Sequence, residues 1–258
     1  MLSQTMKFFD INYGEFASVT GTNLNTSSAA YGYDNRSDAG NVTWNSVTGD
    51  LIYDFGNTLA VDSFFINAHN WAAGSIMYGD SLTSTLTVFS NLTTNAYFYK
   101  HASTITTKKV KFTFSSTQDS NPGYAGELIA TKQKFQLNYN PSTYRPMLNP
   151  IGVQKQLYNG KTIWNETSNI FNAEIGWNFL MGAVNTLTNT DLQNVTELVR
   201  QRSSFLFWPN AGNSFVNMNT WRPQDVYKAK ILDVTTYEFP SPAIDYAIMA
   251  DYTIQEVQ

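Results

Sequence analysis

Apolar and polar positions alternate with a period of two along much of the first half of the chain. Leu82, Leu86 and Val88 alternate with Thr83, Thr85 and Thr87, and Val110, Phe112 and Phe114 alternate with Lys111, Thr113 and Ser115. That period sends one set of side chains to a core and the other to solvent, as in a half-buried strand. Turn-forming clusters separate the strand signals, at Asn23–Ser28, at Asp34–Asn41 and at Asp119-Ser120-Asn121-Pro122-Gly123. Short strands between turns, with no long helix, predict an all-β sandwich.

The second half has a different pattern. Strand-like Lys134–Asn138 runs into Tyr139-Asn140-Pro141, and prolines recur at Pro146 and Pro150. Such a segment suits an extended connection, so the expected division is a sandwich over residues 1–135 and a second unit over residues 136–258. In that unit Thr162-Ile163-Trp164 and Ile170–Trp177 read as strands. Thr190-Asp191-Leu192-Gln193 fits a capping box with Thr190 as N-cap. Leu192, Val195, Leu198 and Val199 then recur at helical spacing, which predicts one helix near residues 190–202. Phe205-Leu206-Phe207-Trp208 is an apolar run short enough for a buried strand. Val226–Lys230 and Ile231–Phe239 read as two more strands, and Tyr246, Ile248, Ala250, Tyr252 and Ile254 form one face of a last one. The expected fold class is mainly β: a β-sandwich followed by a β-rich domain with one α-helix.

Composition narrows the function. Charged residues make up 14% of the chain, and 16 basic against 20 acidic residues give a net charge of −4. There is no basic excess to neutralise phosphates, so no nucleic-acid partner is expected. Lys108, Lys109 and Lys111 read as a solvated strand face. The chain has no cysteine, which excludes disulfides, zinc–thiolate sites and a catalytic thiol. The N-terminus lacks a basic start followed by a long apolar run, and no stretch approaches the roughly 18–20 apolar residues of a membrane helix. Synthesis in a cytoplasm without membrane insertion is the expectation.

Candidate chemistry is sparse. His69 and His101 lack metal-ligand spacing, and no nucleophile elbow, phosphate loop or dinucleotide fingerprint occurs. Asp50 with Asp54, and Asp245 with Asp251, are carboxylate pairs of the sort a glycosidase needs, and equally well ordinary solvated carboxylates. No enzymatic activity is expected. The oxygen-rich segment Asp34–Asn41 suits either a structural Ca²⁺ or a plain polar turn. Trp44, Trp71 and Tyr78 suit either a sugar-stacking platform or plugs of the sandwich core.

Residues 22–80 carry a resemblance. Asp34 opens a loop that Thr43-Trp44-Asn45-Ser46 closes. Leu51-Ile52-Tyr53-Asp54-Phe55-Gly56 follows, then Val61-Asp62-Ser63-Phe64-Phe65-Ile66, His69-Asn70 and Gly79-Asp80-Ser81. This order resembles the discoidin-like (coagulation-factor C-type) jelly-roll sandwich, in the form found in bacteriophage tail and baseplate proteins, over about residues 10–135. The resemblance implies a ligand-binding loop end, with Asp34 and Asp38 as calcium ligands, and no other cofactor. The Trp177-led strand, the helix, Phe205–Pro209 and the closing Tyr252–Val257 resemble tail-tip and baseplate proteins more loosely. Together they imply a structural component of a virion tail, made in the host cytoplasm, whose partners are other tail proteins and copies of itself. The alternative they leave is a carbohydrate-binding module that recognises a host-surface glycan.

Overall fold

One long antiparallel ribbon, folded back on itself, makes most of the sandwich. A computed structural model describes residues 6–34, 40–137, 143–156, 162–178, 189–209, 226–238 and 249–257. After β1 (Lys7–Phe9), which joins a second sheet, come β2 (Ser18–Thr20), β3 (Val42–Thr43) and the ribbon strand β4 (Gly49–Asn67). The short β5 (Trp71–Tyr78) and β6 (Ser84–Phe89) precede the second ribbon strand, β7 (Ala96–Thr117). Strands β4 and β7 pair from Gly49↔Phe114 to Asn67↔Ala96. The ladder breaks between Asp54 and Leu59, where Phe55–Thr58 stand against Lys108 alone and Gly56 takes a φ of 74°. Glycine adopts that left-handed conformation without a Cβ clash.

At this break the ribbon turns over, and its two halves become facing layers. The front layer runs β2-β4-β7-β5-β6, and the back layer adds β9 (Glu127–Thr131) to the second half of β4. Across the layers Phe64 meets Phe112 edge-on, with ring centroids 6.4 Å apart. Strand β3 pairs with β8 (Tyr124–Ala125) at one end. Trp44, Tyr53, Trp71, Phe112 and Phe114 fill the core, all buried.

The alternation at Val110, Phe112 and Phe114 is met in full: all three are buried. The one at Leu82–Val88 is not. Leu82 sits in a turn with a φ of 53°, and Leu86 is skipped where Thr87 pairs with Ile76 and Thr85 with Met77. This bulge reverses the inward face, so Phe89 is buried and Val88 is 72% exposed.

Among the described residues the second sheet has seven strands. Its order is β10 (Gln133–Gln136), β1, β13 (Phe205–Trp208), β14 (Tyr227–Glu238), β15 (Met249–Glu256), β12 (Thr162–Asn178) and β11 (Thr143–Gln156). Helix α1 (Asn189–Gln201) covers one face, where Val195 and Leu198 pack with Phe8, Phe205, Phe207 and Tyr252. The opposite face sends Phe9, Leu206, Trp208 and Val226 against Phe65 and Ile129 of the sandwich. Strand β13 is thus buried on both faces, which is why its sequence is apolar without alternation.

The sheet takes β1 and β10 from one side of the expected division at 135 and the other strands from the far side; residues 138–142 lie outside the described residues. Thr162–Trp164 and Ile170–Trp177 are one strand, and so are Val226–Lys230 and Ile231–Glu238. The helix starts at Asn189, one residue before the expected cap. Tyr246 and Ile248 lie outside the described residues. Strand β11 pairs with β12 over its whole length, from Thr143↔Gly176 to Gln156↔Thr162. Strand β15 accompanies β12 only over Asn172–Asn178. Just past that pairing, the Phe171 amide donates to the Glu256 carboxylate at 2.8 Å. Beyond it the ribbon is two strands wide among the described residues.

Candidate functional site

Of the two roles open to Trp44 and Trp71, sugar platform or core plug, their burial fits the second. Trp44 is 2% exposed and Trp71 0%. The Trp44 ring packs edge-on against Trp71 at 5.4 Å and Phe114 at 5.1 Å, and its indole N–H donates to the Asp50 carbonyl at 2.9 Å. Trp71 stacks on Phe114 at 4.8 Å. Both rings lie in the core because burying a large aromatic surface is worth more than leaving it wet. Tyr78 is half-buried against the same core. Neither tryptophan presents a free face of the kind a sugar needs. Asp34 is half-buried at the edge of its loop, and Asp38 lies outside the described residues.

The loop end of the sandwich is nonetheless well built. Asn70 is its hub. Its amide donates to Asp119 Oδ1 at 3.0 Å and to the Pro122 carbonyl at 3.2 Å, and its Oδ1 accepts from the Tyr124 N–H at 2.9 Å. The Gln118 N–H donates to the Asn70 carbonyl at 2.7 Å, and the Trp71 N–H donates to His69 Nδ1 at 3.0 Å. These bonds lock the β4–β5 connection to the β7–β8 connection. His69 is buried, and burial alone pulls its pKa down to about 4, so the ring is neutral.

Tyr31 is an aromatic that the sequence expectations do not include. It ends the 3₁₀ turn Thr26–Gly32, whose N-cap Asn25 accepts from the Ser27 hydroxyl at 2.7 Å. Tyr31 is 39% exposed. Its ring lies over Gly40, which has a φ of 148°; a Cβ there would come within 3.2 Å of ring carbons Cδ2 and Cε2. The Gly40 backbone therefore lies against one edge of the ring, and the residue keeps part of its surface exposed. The available signal was Tyr31-Gly32-Tyr33-Asp34 followed by Gly40, an aromatic close to a glycine across the Asp loop.

Two further residues were missed. Glu127 is buried, and burial first, then the charges of Asp34 and Glu15, push its pKa up to about 8. Opposite it in the β4–β9 register is Asn67, also buried, whose side chain bonds to the Glu127 carboxyl and offsets part of that upward shift. Asn41 reaches the same corner, 3.3 Å from where a Gly126 Cβ would stand. Among the described residues no three acidic or histidine side chains are grouped to hold a metal. The oxygen set here is two carboxylates and carboxamides.

The carboxylate pair Asp50 and Asp54 is taken up by cross-strand ion pairs, Asp50 with Lys111 at 2.9 Å and Asp54 with Lys109 at 3.2 Å. The lysine run is thus a strand face neutralised by its neighbour. Asp245 and the Asp251 side chain lie outside the described residues.

No protein-family model matches the chain, and no curated protein matches it. Its structure is similar to chitosan-binding module 1 of a chitosanase/glucanase from Paenibacillus sp. IK-5, with 13% identity over 46% of this chain and 97% of that one and a TM-score of 0.42. It is also similar to CpGH89CBM32-6 from Clostridium perfringens, with 16% identity over 47% and 98% and a TM-score of 0.41. A third likeness is to CpGH89CBM32-5 of the same organism, in complex with GalNAc-β-1,3-galactose, with 11% identity over 45% and 96% and a TM-score of 0.39. These three are carbohydrate-binding modules, and none supports a virion-tail role.

Proposed function

We propose that the chain is a carbohydrate-binding protein without a catalytic role, and that its sandwich presents the open side of Tyr31 to a sugar. The observation that carries this reading is the Tyr31 ring, 39% exposed and seated against Gly40. A sugar ring has an apolar C–H face that stacks on an aromatic ring. A ring already fixed by its support loses little freedom on binding. Asp34 and Asn41, close by, supply hydrogen-bonding groups for the hydroxyls.

The oxygen donors of Asp34, Glu127 and Asn67 fit a hard cation such as calcium. A calcium ion there would neutralise the buried Glu127 carboxylate, with Asn67 beside it as a further oxygen donor. Asp38 is the further ligand expected from the sequence.

The test is a glycan array followed by calorimetric titration, with GalNAc-β-1,3-galactose and chitotriose among the probes. Saturable binding is expected, weakened at least about tenfold by Tyr31→Ala, which corresponds to roughly 1.4 kcal/mol. A Tyr31→Ala variant that weakens the binding of no probe, or no glycan bound at all, would overturn the reading.

One observation favours a second reading, assembly with copies of this chain or with tail proteins. The outer part of the β11–β12 ribbon has no third strand among the described residues, and two strands alone are marginal in water. Light scattering on the full chain and on a version lacking residues 149–169 checks this. A concentration-independent monomer for both would dispose of self-assembly.

A further inference from the structure

A groove runs along the seam where the sandwich, the second sheet and the C-terminal end of α1 meet. It consists of two cavities, of about 350 Å³ and 290 Å³, that adjoin at the ion pair between Asp10 and Lys134. The first is walled by Glu15, Ser203, Ser204 and Lys228, with Phe16 at its mouth. The second continues past Gln133, Asn194 and Gln201. Together they reach the size of ordinary small-molecule sites, roughly 300–1,000 Å³.

The polar groups in the groove are held in place by one another. Lys134 Nζ is 2.7 Å from Asp10 Oδ1, and the Tyr13 hydroxyl donates to Asp10 Oδ2 at 2.8 Å. Lys228 Nζ is 2.6 Å from Glu15 Oε2, which bridges the 3₁₀ turn Tyr13–Phe16 to β14. Asp10, Glu15 and Glu197 are matched by Lys132, Lys134 and Lys228. The groove is therefore balanced in charge, with three acidic and three basic side chains along it. It still presents fixed carboxylate acceptors, ammonium donors, serine hydroxyls and amides, the groups that bond to vicinal hydroxyls.

Phe16 completes the set. It is 71% exposed, although Asn12 caps its turn by accepting the Gly14 N–H at 3.1 Å and so fixes where the ring stands. A single exposed apolar residue means little by itself. This one rims the polar groove, so an apolar ring and a hydroxyl-matching surface lie side by side.

We infer that this seam is a second carbohydrate site, built for a neutral oligosaccharide of more than one ring, with Phe16 stacking on one sugar and the Asp10–Lys134 and Glu15–Lys228 pairs bonding to hydroxyls. It shares no residue with the Tyr31 platform and stands or falls independently of it.

The probes are cellotriose, maltotriose and N,N′,N″-triacetylchitotriose, with heparin-derived disaccharide as the anionic control, each titrated into the full chain. The expected result is saturable binding of at least one neutral trisaccharide, weakened roughly tenfold or more by Phe16→Ala and by the groove-filling Ser203→Trp, and unchanged by Tyr31→Ala. Phe16 and Ser203 are both exposed, so at least one of the two variants is expected to keep the wild-type circular dichroism. Three results would overturn the inference: no neutral trisaccharide bound, binding untouched by a folded groove variant, or binding of the sulfated disaccharide alone.

Discussion

Phe65 of the sandwich meets Trp208 of the second sheet edge-on, with ring centroids 5.4 Å apart. Phe98 packs against the same indole at 4.9 Å, and the Lys7 ammonium lies 5.5 Å from the Phe98 centroid and 5.6 Å from that of Trp208. Burial, then the nearby Lys100 charge, lowers the Lys7 pKa, and the two ring faces compensate part of that cost. The junction between the two sheets is thus a packed core of its own rather than a linker crossing.

Trp208→Ala is expected to destabilise the chain by about 3–5 kcal/mol, the usual cost of emptying a large aromatic site. Because β13 and the back layer share this core, calorimetry of the wild-type chain should show one transition that the variant moves as a whole. Two separate wild-type transitions, only one of them shifted, would refute the coupling.

A fragment of residues 1–135 tests the same junction from the other side. It retains Phe9, Phe65, Phe98 and Ile129 and loses Leu206, Trp208 and Val226, which cover them. It also deprives β1 of its β13 partner. Strong binding of a hydrophobic dye and self-association are expected of it. A monomeric fragment that unfolds cooperatively and does not bind the dye would show that the sandwich is self-sufficient.

How much of this was legible depends on whether a neighbour along the chain sets a residue's environment. Val110, Phe112 and Phe114 repeat at the strand period, and their face follows from it. Phe205–Trp208 reads as a buried strand because both faces are covered. Strand β4 reads as two strands because its inward face changes side at the Phe55–Thr58 fold, a change that depends on pairing with β7. Strand β1 has three residues, too few for a period, and its place beside β13 depends on contacts some two hundred positions away. Tryptophan exposure was equally out of reach: Trp44 and Trp71 suit platform or core until their contacts with each other and with Phe114 decide for the core. Glu127 shows the same limit, since its burial comes from β4 and the Asp34 loop rather than from its own surroundings in sequence.

Trp71→Ala and Tyr31→Ala should separate stability from binding. The first empties a fully buried site and is expected to cost about 3–5 kcal/mol. The second trims a partly exposed ring and should change stability by about 0.5 kcal/mol or less, as surface substitutions do. Urea unfolding of both gives the answer. A Tyr31→Ala loss comparable with that of Trp71→Ala would make Tyr31 a structural residue, and loss of glycan binding in that variant would then carry no weight.

The pH dependence of stability isolates Glu127. Its folded pKa, about 8, is above the ordinary 4.5, so the folded state keeps a proton that the unfolded state has released. Stability should therefore fall as pH rises through that window. His69 acts in the opposite sense: its folded pKa of about 4 is below the ordinary 6.5, so stability is lost as pH falls from 6.5 to 4. The two slopes offset each other where they overlap. Between pH 6.5 and 8 Glu127 acts without that offset, with a slope of at most about 1.4 kcal/mol per pH unit for one proton. Thermal melts in EDTA should show this fall in the wild type and not in Glu127→Gln. Calcium would bind the ionised carboxylate, so excess calcium should remove the fall and raise the wild-type Tm, with little effect on Glu127→Gln. A calcium response that Glu127→Gln retains would place the ion elsewhere. A fall that calcium leaves in place would mean that this corner holds a protonated acid rather than a metal ligand.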